Sequence, residues 1–203
     1  MYIYLDIYDG RGKYSVKSYY NSLRVGNNVL FPDKEIWGSY ASLRTRFFVW
    51  EAVWGKILTV DTLMKRGWSM VNRCNLYKDS EESIDHILIH CDRTRQLWTV
   101  LLTTFGLVWV FPVSVRNFLL EWKFKGLGKK KRAVWQLAPI CLFWCIWGDR
   151  NQRTFEDEEL SHQSLRDLFI RSLVEWFQQF WIWKSLLIWI IWRLFIVASL
   201  ALF

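Results

Sequence analysis

The stretch CNLYKDSEESIDHILIHC, residues 74–91, constrains this chain more than any other. It opens and closes with cysteine and carries His86 and His90 between. Thiolate and imidazole are zinc donors, and a structural zinc site takes four of them in a tetrahedron. If these residues serve one ion, a bend and the helix after it must converge on one point. The first half, CNLYKDSEES, is polar and turn-like, and Ser83 is placed to cap a helix through IDHILIH. His86 and His90, four apart, then share a helix face, and Cys91 sits just past the helix end. The tight C-x-x-C turn that usually presents two sulfurs is incomplete, because Tyr77 stands three residues after Cys74. A phenol, with a pKa of ~10, is a poor ligand beside thiolate and imidazole. The metal candidates are therefore Cys74, His86 and Cys91, with water, His90 or Glu81 for the fourth position. The alternative is a helix with incidental buried cysteines and surface histidines, and the segment alone leaves both readings open.

The surroundings are written in helical period. From Tyr40 to Gly55 the apolar residues Leu43, Phe47, Trp50 and Val53 or Trp54 recur at three and four. Thr59 stands as an N-cap for VDTLMKR, and Gly67 stands where a C′ glycine belongs. From Asp92 a helix carries Leu97, Trp98, Leu101, Leu102 and Phe105. Pro112 breaks the pattern and SVRNFLLEW makes a short helix. AVWQLAPICLFWCIWGDRNQRTFED reads as one long apolar helix kinked at Pro139, and another helix covers about 161–181. Residues 2–8 alternate loosely before the turn at Gly10 and Gly12, which predicts a short β-hairpin. Ser15 then caps a helix to about Arg24. The fold class expected is mainly α: a small helical domain with a short N-terminal β-hairpin and a Cys/His zinc-knuckle-like segment, followed by long apolar helices. The boundaries expected are 10–111 for the Cys/His domain, 112–181 for a helical extension with a basic loop, and 182–203 for a hydrophobic C-terminal helix.

Charge and cysteine usage narrow the partners. The net charge is +8, which fits a polyanion such as RNA or DNA, or an anionic membrane surface. The run Lys129, Lys130, Lys131 and Arg132, with Lys123 and Lys125 nearby, is the candidate phosphate contact. It also reads as a nuclear import signal or a solvated loop. Tyr19 and Tyr20, near Lys17 and Arg24, suit either a stacking patch or helix packing. The start, MYIYLDIYDG, has no basic n-region and carries Asp6, so no secretory leader is read there. Cys141 and Cys145, four apart on an apolar helix without a histidine near, are read as buried thiols. Residues 185–203, SLLIWIIWRLFIVASLALF, hold Arg193 as their single charge and are long enough to span a membrane. A buried tail is the alternative. No glycine-rich phosphate loop and no nucleophile with its base is legible, so neither catalysis nor a small-molecule substrate is expected.

The stretches YSVKSYY, FFVWEAVWGKILTVDTLMKRGW and CNLY…ESIDHILIHC…LW together resemble the zinc-binding domain of plant non-LTR retrotransposon reverse transcriptases. The landmarks are Trp37, Phe48 and Trp50, then Thr59, Asp61, Leu63 and Arg66. They continue through Cys74, Glu82, Ser83, His86, Cys91, Leu97 and Trp98. WQLAPICLFWCIWGDRNQRTFED is similar to the segment that follows in such proteins, so the resemblance covers about 10–181. It implies a small helical module behind a polymerase, holding zinc through Cys74, His86 and Cys91 and assisting nucleic-acid binding, in the nucleus or cytoplasm. The pattern's second cysteine is Tyr77 here. No paired-aspartate polymerase motif and no ribonuclease H acidic set accompanies it, so the expectation is a degenerate fragment of a retroelement. The alternative is a membrane-associated remnant anchored through residues 185–203.

Overall fold

The computed structural model describes residues 30–123 and 126–180. Their regular structure is helical. α1 is Asp33–Trp37, α2 Leu43–Val53 and α3 Val60–Lys65. A π-helical turn, His86–His90, leads into α4, Asp92–Phe105. α5 is Val115–Glu121, α6 Lys129–Phe155 and α7 His162–Phe180. No strand occurs among the described residues. The hairpin expected near residues 2–12, the helix after Ser15 and the C-terminal stretch 182–203 lie outside them.

α6 is the organising element: α2, the π-turn and α7 all pack against it. Its middle buries Val134, Leu137, Ala138, Ile140, Leu142, Phe143 and Ile146. α7 answers with Leu165, Phe169, Ile170, Leu173 and Phe177, a stripe at helical period. Neither helix is apolar all round, which corrects the expectation of long apolar helices. α6 starts on Lys129 and Lys130 and ends around Asp149, Arg150 and Arg153. The basic residues 129–132 are thus the first turn of α6 rather than a loop. Among the described residues no helix is long and apolar enough to cross a membrane, and the stretch 185–203 lies outside them.

α6 runs through Pro139 without interruption. Proline has no N–H, so the carbonyl four residues back, on Trp135, loses its helical partner. The indole Nε1 of Trp122 donates to that oxygen at 2.7 Å. The same two rings stack, with centroids 4.0 Å apart and planes within 6°. Trp98, fully buried, closes the aromatic core against Phe118 at 4.6 Å and Phe143 at 5.7 Å.

The stripe expected to bury α2 is corrected. Of its residues Val53 is buried, but Leu43, Phe47, Trp50 and Trp54 are exposed, and Phe48, Val49 and Ala52 complete the buried side. α6 fixes this choice, because Trp144 and Trp147 pack on Phe48, at 5.5 and 5.7 Å. α2 is apolar on most of its circumference, so period alone did not say which side the neighbour would take. Cys141 and Cys145 are buried free thiols, and Cys141 lies 3.9 Å from the Phe169 carbonyl.

Candidate metal centre

The site begins with a turn. Cys74 N–H donates to the Ser80 carbonyl and Lys78 N–H to the Cys74 carbonyl, each at 2.8 Å. Lys78 takes a left-handed φ of 62° to close this loop. Cys74 is thereby held fully buried at the start of a tight bend. Ser83 caps the following helix, its Oγ accepting from His86 N–H at 3.2 Å. The helix opens into the π-turn, in which Cys91 N–H donates to the His86 carbonyl five residues back, at 2.6 Å. The wider turn brings Cys91, rather than His90, back toward His86. His90 is carried off to the Val113 carbonyl, 3.1 Å from its Nε2.

A turn of this kind leaves carbonyls without ladder partners, and α4 supplies them. Thr94 Oγ1 donates to the Ile87 carbonyl at 2.6 Å and Trp98 Nε1 to the Leu88 carbonyl at 3.0 Å. Both side chains are buried, so the donors compensate groups that water does not reach.

The outcome is convergence. One ligand atom from each of Cys74, His86 and Cys91 lies within 4.8 Å of the others. The two sulfurs are 3.9 Å apart. Two sulfurs each ~2.3 Å from one tetrahedral zinc would sit ~3.8 Å apart. That separation also far exceeds a disulfide of ~2.05 Å. Nε2 of His86 is buried without a hydrogen-bond partner, the state of a ring nitrogen that lacks its natural contact. The donor set and spacing therefore fit zinc.

Electrostatics agree with a shared centre. The Cys74 thiol is brought down to about 4, chiefly by a hydrogen bond from Cys91, against burial and with help from His86 and the amides of Tyr77 and Leu76. The Cys91 thiol is pushed above its usual range by the same pairing, by burial and by the charge on Cys74. The pairing favours a thiolate shared between the two sulfurs, the form that binds metal.

The other ligands considered from sequence do not join. Glu81 is exposed, and His90 has gone to Val113. Tyr77 is half exposed and lines a groove against α4 and the start of α7. The basic run is elsewhere: Arg132 donates to the Leu127 carbonyl at 3.3 Å at the start of α6.

Sequence reasoning missed the brace of the site. Glu82 is fully buried and paired with Arg150 at 2.7 Å. Its Oε1 also accepts from Val60 N–H at 3.0 Å and its Oε2 from Asn75 N–H at 3.4 Å. One carboxylate thus caps α3, holds the residue after Cys74 and ties both to α6. A second brace joins Asp149 to Arg93 at 2.9 Å and to Arg153 at 3.2 Å. Glu82 was visible as a motif position, but its partner lies 68 residues away and leaves no local signal.

Residues 14–98 match the family described as zinc-binding in reverse transcriptase. No curated protein and no solved structure matches the chain.

Proposed function

We propose, taking residues 14–98 as a zinc-binding domain of the reverse-transcriptase type, that this chain is a metal-holding accessory module. Cys74, His86 and Cys91 would hold the ion, which would supply folding free energy by crosslinking the 74–80 turn to the π-turn. The observation that carries this reading is the convergence of three donors within 4.8 Å, with the sulfurs 3.9 Å apart. With Tyr77 at the fourth family position, the site binds more weakly than a full four-ligand centre.

The accessory role is association with RNA or DNA. The net charge of +8 supports it, with Lys129, Lys130, Lys131 and Arg132 at the start of α6 as phosphate contacts. No catalytic role is assigned to any residue.

Elemental analysis of the purified chain tests the metal. About one zinc per chain is expected, with a marked loss in Cys74→Ser. A chain that carries no zinc after purification in zinc-supplemented medium removes the metal role. Binding to short oligonucleotides should weaken as salt rises, because neutralised phosphates release counterions.

A further inference from the structure

Tyr77 occupies the position at which the sequence pattern calls for a second thiolate. The structure shows what that position does instead. Its ring is half exposed and lines a groove of about 680 Å³ with Arg95, Gln96, Thr99, His162 and Arg166. That volume is in the ~300–1,000 Å³ span of ligand clefts.

The two walls are built by separate helices. On α4, Arg95, Gln96 and Thr99 fall on one exposed face by their three- and four-residue spacing. On α7, His162 and Arg166 lie in the first turn and a half. Ser161 caps this helix, its Oγ accepting from Ser164 N–H at 3.0 Å. The positive end of the α7 dipole therefore faces the same region.

The local field is positive. His162 is held below its ordinary value by burial and then by the charges of Arg93 and Arg166. Asp92 is the one carboxylate lining the groove, against two guanidinium groups. Arg95 is exposed and its guanidinium lies over the Phe111 ring, 5.3 Å from its centroid.

We propose that this groove seats a single strand of nucleic acid, with a base stacked on Tyr77 and a phosphate met by the exposed Arg95, while the buried Arg166, which donates to Gln163 Oε1, adds positive charge from within the wall. An exposed aromatic face beside fixed cations is the pairing that single-strand sites use. Gln96 and Thr99 add polar contacts along the strand. A duplex presents its bases already stacked, so it gains nothing from Tyr77. The inference rests on the nucleic-acid reading above and says where on the chain the strand lies.

The test is fluorescence anisotropy of the full chain with labelled single-stranded and double-stranded oligonucleotides at low salt. Tyr77→Ala is expected to weaken single-strand binding roughly 5- to 150-fold, the range for loss of one stacked base. Tyr77→Phe retains affinity, and duplex affinity is unmoved in both. Arg95→Ala weakens both, with a smaller dependence on salt. Tyr77 is half exposed, so its variants leave the core intact, and unchanged zinc content confirms the fold. Single-strand binding that is equal in Tyr77→Ala and falls only in the Lys129→Ala/Lys130→Ala/Lys131→Ala variant overturns the groove and leaves the module reading standing. Absence of any oligonucleotide binding overturns both.

Discussion

At Glu82, donors from three parts of the chain meet one buried carboxylate, and the consequences of removing it can be worked out atom by atom. Glu82→Ala leaves Arg150 charged and buried and orphans the amides of Val60 and Asn75. Breaking a buried pair costs about 3–5 kcal/mol, so chemical denaturation should show a loss of that order. Replacing a whole buried ion pair by apolar residues is often neutral. Here Glu82→Leu/Arg150→Met is expected to recover little, because the two amides still lack acceptors; full recovery would show that they do not matter. Tyr77 gives a second case. The turn that would present a second sulfur is intact around it, with Lys78 N–H on the Cys74 carbonyl at 2.8 Å. Tyr77→Cys should therefore tighten zinc binding. A structural site worth about 10–16 kcal/mol over four ligands assigns each some ~3 kcal/mol, so the gain expected in a chelator competition is roughly 10²-fold. Both residues stood in plain view in the sequence. Their roles did not, because each is defined by a partner far along the chain.

Among the elements, the π-turn and α3 depend most on side chains from outside their own ladder. Thr94→Val removes the donor to the Ile87 carbonyl while keeping the shape. A buried acceptor left unsatisfied costs about 1–3 kcal/mol, so the midpoint of denaturation should fall while zinc is still bound at saturating metal. In α3, Asp61 is pushed up by burial but more strongly drawn down by Thr59 Oγ1 and by Lys65, whose Nζ is 3.0 Å away. Its folded pKa is thus below the unfolded one. The stability it contributes is present above the ordinary carboxylate range and is lost as pH falls below ~4. Asp61→Asn should flatten the acid limb of a stability–pH curve, and an unchanged limb would refute this. The helix at Val60–Lys65 was legible from Thr59, and Gly67 does take the left-handed φ, 94°, expected of a C′ residue. Thr59 does not cap through its side chain: its hydroxyl goes to the Asp61 and Thr62 side chains, and the buried amide of Val60 goes to Glu82. The π-turn was not legible: HILIH reads as ordinary helix, and the extra residue in the turn matters only because α4 returns to satisfy its carbonyls.

For the whole molecule, the metal centre and the long helices are one folded system. α6 delivers Arg150 to Glu82, Trp144 and Trp147 to Phe48, and Phe143 to Trp98. A chain cut after residue 111 keeps every candidate ligand and loses all of these contacts. We expect it to unfold without a cooperative transition in the absence of zinc, whereas the full chain shows one; equal cooperativity would mean that the Cys/His part stands alone. What the sequence by itself determined is the local chemistry. It placed α2 to α7, the bend after Cys74, the cap at Ser83 and the three donors, because period, turn residues and ligand type are properties of neighbouring residues; α1, in a stretch rich in loop residues, it did not. What only the tertiary structure decided is which faces those elements turn to one another. Leu43, Phe47, Trp50 and Trp54 are as apolar as Phe48 and Val49, yet only the latter are buried, because α6 approaches from their side. His90 is as good a ligand as His86, yet only His86 converges, because the widened turn rotates Cys91 into its place. Burial and coordination are set by the position of a distant partner, which no local pattern encodes.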